Sequence, residues 1–108
     1  MKLQLTPQVL RLRLTEDDMQ AFARAGQLNC TLPLGEGPGL TYTLRQLPAA
    51  TAGALGVRYA AGTIVVEVPA ALARQLIEGS TVSLKSEIMG ADGQLIRILV
   101  EKDLGPSH

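Results

Sequence analysis

The sequence is short of the residues on which many chemistries depend: it has one cysteine, one histidine, no tryptophan and no surplus of either charge. Each shortage closes off a class of function. Cys30 stands alone, so it makes no internal disulfide, and a chain built that way suits a reducing, cytoplasmic setting. The single histidine, His108, is the last residue, where catalytic groups are seldom held in place. One histidine and one cysteine supply neither a zinc set nor a nucleophile with a positioned base, so no metal, no cofactor and no enzyme activity are expected. Ten Lys and Arg balance ten Asp and Glu, which argues against nucleic acid, because neutralising a phosphate backbone needs a basic excess. No apolar run approaches the roughly 18 residues of a membrane helix. Residues 1–6 lack the apolar stretch of a secretory signal. The aromatics are Phe22, Tyr42 and Tyr59, all on apolar faces, which leaves no platform for stacking bases.

What the chain does contain is a pattern stated twice. It is 46% hydrophobic, enough to bury a core, and 108 residues make one domain. Sliding the sequence by 54 positions puts Leu3 and Leu5 on Val57 and Tyr59. The same shift puts Leu10, Leu12 and Leu14 on Ile64, Val66 and Val68, and Phe22 on Leu76. Residues 9–14 alternate strictly, leucine on one face and arginine on the other, as a half-buried strand does. Thr15 with Asp18 three residues on makes a capping box for a helix whose apolar stripe is Met19, Phe22 and Ala23 and whose end is Gly26. Leu28, Cys30 and Leu32 alternate, and after Gly35-Glu36-Gly37-Pro38-Gly39 so do Leu40, Tyr42 and Leu44. The second half repeats the course. It has strands at Val57–Tyr59 and Ile64–Val68, Pro69 at the first helical position, a stripe of Leu72, Ala73, Leu76 and Ile77, then strands over Val82–Ile88 and 95–102. Asp92-Gly93 predicts a tight turn of the primed type. Against the first half, the last strand is shifted by 56. The expected fold is therefore α+β: a duplicated ββαββ unit with a pseudo-two-fold axis and mainly antiparallel sheet, barrel-like if its edges meet. Repeat 1 spans 1–45, a linker 46–54, repeat 2 55–103 and a tail 104–108. The predicted core includes Leu12, Phe22, Cys30, Tyr42, Val66, Leu76, Leu84 and Ile98.

Few residues suggest a site. The glycine-rich segment 35–39 lacks the Lys-Ser or Lys-Thr and the helix of a phosphate loop, and reads as a hairpin connection. Glu16, Asp17 and Asp18 suit the positive end of a helix dipole better than a cation, because adjacent helical residues point apart. Arg11 and Arg13 share a strand face. If they converge with others of Arg45, Arg58 and Arg97 they form an anion site; otherwise they pair with acids across the sheet. Residues 95–102 are apolar on both faces, so the second face calls for cover, either from a helix of the same chain or from a second subunit. Val65, Leu95 and Leu99 are the candidate interface.

The run Leu10-Arg11-Leu12-Arg13-Leu14-Thr15 and the closing Ile98-Leu99-Val100-Glu101-Lys102-Asp103 resemble the opening and ending of a family of small uncharacterised bacterial proteins. These share the alternating Arg/Leu strand followed by Thr and a helix, and the last strand ending in Glu-Lys-Asp. The resemblance implies no activity and no site residue. Two functions remain. One is a protein-interaction module, most simply a homodimer or other homo-oligomer, or else bound to another protein. The other is a binding protein, or a weak enzyme, for a small anionic ligand centred on Arg11 and Arg13.

Overall fold

The computed structural model describes residues 1–48 and 53–103. Residues 49–52 of the expected linker and the tail 104–108, His108 included, lie outside the described residues. In chain order the elements are β1 (Lys2–Thr6), β2 (Val9–Leu14), α1 (Glu16–Ala25), β3 (Gln27–Leu32), β4 (Leu40–Gln46), β5 (Gly56–Ala60), β6 (Thr63–Val68), α2 (Ala70–Glu78), β7 (Ser83–Met89) and β8 (Leu95–Lys102). Each half is a ββαββ unit, as the repeated pattern predicts.

The units do not fold separately. The strands form two sheets, ordered β1-β2-β8-β7 and β3-β4-β6-β5. Each sheet takes the first hairpin of one half and the last hairpin of the other. The hairpins join through parallel central pairs, β2 with β8 and β4 with β6, while the outer pairs are antiparallel. The registers match position for position. Leu10 pairs with Ile98 and Leu12 with Val100 in the first sheet; their counterparts Ile64 and Val66 pair with Tyr42 and Leu44 in the second. The two extra residues of the second half fall before β7: α2 is one residue shorter than α1, and four residues separate it from β7 where the single Gly26 separates α1 from β3.

No closed barrel forms among the described residues. At the seams the sheets meet through side chains rather than a strand ladder. Ser86 Oγ donates to the carbonyl oxygen of Leu55 (3.3 Å). At the other seam Tyr42 OH (3.1 Å) and Cys30 Sγ (4.0 Å) donate to the carbonyl oxygen of Met1. Cys30 and Ser86 are counterparts in the repeat, as are Met1 and Leu55, so both seams use one device. Burial pushes the Tyr42 phenol above its ordinary value, and the adjacent Cys30 acts in the same direction.

The inner faces of both sheets and one stripe of each helix share a single core. Leu12, Phe22, Val68, Leu76, Ile98 and Val100 are fully buried in it. Of the predicted core residues, Cys30 and Tyr42 are only half-buried, because they sit at a seam. Tyr59 pairs with Ile64 on the correct face but lies one residue from the hairpin end, and is 69% exposed. Val82 precedes β7 and is exposed.

Local chemistry sets the helix ends. Thr15 accepts from Asp18 N (3.1 Å), and Asp18 Oδ2 accepts from Thr15 N (2.9 Å), completing the capping box. Gly26 ends α1 with φ 72°, a left-handed conformation that a Cβ would strain. Pro69 is the N-cap of α2 rather than its first residue, since its ψ of 143° is not helical. The β7–β8 connection spans residues 90–94 and is not a two-residue primed turn. That geometry appears instead at β5–β6, where Ala61 (φ 51°) and Gly62 (φ 77°) connect Ala60 to Thr63.

Candidate functional site

The outward faces of the two sheets are built from matched positions but carry different chemistry. In the first sheet, Arg11 and Arg13 alternate with buried leucines along β2 and so point outward. Arg97, Leu99 and Glu101 do the same on β8, and Lys85 and Glu87 on β7. Register places Gln4, Arg11, Leu99 and Lys85 in one row across four strands. Rows on either side bring Arg13 beside Glu101 and Arg97 beside Glu87.

Glu101 organises this face. Its Oε1 lies 3.0 Å from Arg11 Nε and 3.8 Å from Arg13 Nε. The close Arg11 contact is an ion pair without hydrogen-bond alignment, which leaves the buried Nε–H with no aligned acceptor. Arg11 Nη1 donates to Gln4 Oε1 (3.3 Å). The side chains of Lys85 and Arg97 make no hydrogen bond or ion pair among the described residues. A shallow cavity of about 520 Å³ opens here, with Leu99 between Arg11 and Lys85 and with Arg97, Glu87 and Glu101 around it. Neither helix contributes to its lining. The apolar second face of β8 is therefore not covered by a helix of this chain, because α1 and α2 bury their stripes in the core between the sheets.

On the second sheet the positions matched to Arg11, Leu99 and Lys85 hold Val65, Thr43 and Asn29. Thr43 is buried and its hydroxyl donates to Asn29 Oδ1 at 2.7 Å. The hydroxyls of Thr31 and Thr41 bond each other at 3.1 Å. Arg58 pairs with Glu67 (3.1 Å), and Arg45 Nε donates to Gln27 Oε1 (3.2 Å). That face satisfies its own polar groups.

The sequence-derived site residues are thus divided. Arg11 and Arg13 stand side by side, but Arg11 lines the cavity and Arg13 does not. Of the candidate interface residues, Leu99 sits in the cavity. Leu95 lies at the end of β8 opposite Met89, 51% and 65% exposed respectively. Val65 is on the other sheet. Segment 35–39 connects β3 to β4, and Glu16 and Asp17 occupy the first turn of α1. The alternation of 95–102 already put Arg97, Leu99 and Glu101 on one face. Lys85 and Glu87 were missed as their neighbours, because strand order is not encoded in local periodicity.

The fold and face define a small α+β domain of two interleaved ββαββ units, with one polar, internally satisfied sheet and one sheet whose charges are left partly open. The chain belongs to the family of unknown function DUF7009, whose match covers residues 1–105. No curated protein and no solved structure matches it.

Proposed function

We propose that the chain acts by binding, not by catalysis, and that its working surface is the outer face of the β1-β2-β8-β7 sheet, which takes an acidic segment of another protein. One observation carries the reading: at matched positions of two otherwise equivalent sheets, one holds a self-satisfied Asn29–Thr43 pair and the other holds half-buried Leu99 between cationic Arg11 and Lys85. The face carries Lys2, Arg11, Arg13, Lys85 and Arg97 against Glu87 and Glu101. A net positive face with an apolar centre is complementary to an acidic partner carrying an apolar anchor. A peptide array varying charge and apolar content provides the test. Acidic peptides with one large apolar residue are expected to bind, and Leu99→Lys is expected to abolish the signal while leaving the fold intact. Preference for neutral or basic peptides, or indifference to Leu99→Lys, overturns the reading.

Self-association is the second reading, favoured by the exposed pair Leu95 and Met89 beside the same face. It requires light scattering to show a dimer that Leu95→Glu converts to a folded monomer. Val65→Glu, on the other sheet, serves as the control.

A further inference from the structure

A second, wide-open cavity of about 600 Å³ lies where the ends of α1 and β4 meet the first half of α2, and three arginines from distant parts of the chain line it. Arg24 comes from the last turn of α1, Arg45 from the end of β4 and Arg74 from the middle of α2. Gln27 and Ala70 complete the part of the lining that matters here. No carboxylate lines this cavity among the described residues. The side chains of Arg24 and Arg74 make no hydrogen bond or ion pair among those residues. Arg45 spends one of its five N–H donors on Gln27 Oε1.

From these observations we infer that this cavity is a binding site for a phosphate-bearing small molecule, independent of the partner surface proposed above. Glu78, one turn after Arg74 on α2, lines a smaller adjoining cavity rather than this one. Three guanidinium groups around one cavity with a single carboxylate nearby repel one another, and a multiply charged anion offsets that cost. Guanidinium forks match phosphate oxygens two bonds at a time. Three positive charges suit a phosphate, with its near-double charge, better than a single carboxylate.

The repeat does not generate this cluster as a by-product. The positions matched to Arg24, Arg74 and Arg45 in the other half are Glu78, Gln20 and Glu101. Two of the three have the opposite charge. The arginines have gathered at one of two equivalent places, as expected of a site and not of a general surface composition.

Pyrophosphate titrated into the full chain at constant ionic strength tests the inference, followed by amide NMR. The expected result is saturable shifts confined to Gly26, Gln27, Ala70 and their neighbours. Arg24→Gln and Arg74→Gln should each weaken binding at least about tenfold, the loss of one charge-assisted contact. Both arginines are exposed, so the variants should fold, which circular dichroism checks. Arg58→Gln on the second sheet should bind as the wild type does. Linear, unsaturated shifts spread over all arginines would overturn the site, as would unchanged affinity in both Arg24→Gln and Arg74→Gln.

Discussion

Arg11 and Glu101 are not register partners, yet Arg11 Nε stands 3.0 Å from Glu101 Oε1, reaching diagonally across the β2–β8 pair. The same oxygen is 3.8 Å from Arg13 Nε, so one carboxylate restrains two guanidinium groups. Both ion pairs are partly solvated, and such pairs contribute about 1 kcal/mol or less to stability. Glu101→Gln is expected to move the urea midpoint by no more than that, while freeing both arginines and tightening acidic peptides on the array. A loss well above about 2 kcal/mol would instead mark Glu101 as neutralising a charge the fold cannot leave open.

The core makes the second prediction. Phe22 and Leu76 occupy matched positions on α1 and α2, and both are fully buried. Phe22→Ala and Leu76→Ala should each cost about 2–5 kcal/mol, by lost transfer energy plus the cavity left behind. Chemical denaturation measures it, and a cost below about 1 kcal/mol in both would contradict the shared core.

Asp18 gives a pH dependence. Burial pushes its carboxyl upward, but the Met1 ammonium at 2.7 Å and the hydrogen bond from the Thr15 backbone N–H outweigh that and hold it below the ordinary carboxylate value. A carboxylate depressed in the folded state contributes stability above its unfolded pKa of about 3.9, and that stability is lost as pH falls through the lower folded value. Unfolding midpoints measured from pH 5 down to pH 2.5 should fall, and Asp18→Asn should flatten part of that fall. An unchanged slope in the variant would show that other carboxylates carry the acid response.

Ala61 offers a stabilising change. Its φ of 51° places a β-carbon in left-handed backbone, which costs an L-residue about 1–2 kcal/mol. Asparagine tolerates that region and leads this turn type when glycine follows, as Gly62 does here. Ala61→Asn should raise the melting temperature by a few degrees in calorimetry. A fall would mean that the alanine methyl makes a contact worth more than the strain.

Much of the architecture was legible in the sequence, because local physics writes it there. Alternation over residues 9–14 and 63–68 fixes which side chains face inward, since successive residues on a strand point to opposite faces. Thr15, Asp18 and Gly26 mark the bounds of α1, since capping depends on neighbours in the chain. The ββαββ order of each half was visible for the same reason. Tertiary structure alone decided that the halves exchange hairpins, because which strand lies beside which depends on contacts between residues far apart, such as Leu12 with Val100. Tertiary structure alone also set Glu101 against Arg11 and Arg13, placed Val65 and Leu99 on different sheets, and gathered Arg24, Arg45 and Arg74 around one cavity. Periodicity specifies the face a side chain takes; only packing of the whole chain specifies what that face meets.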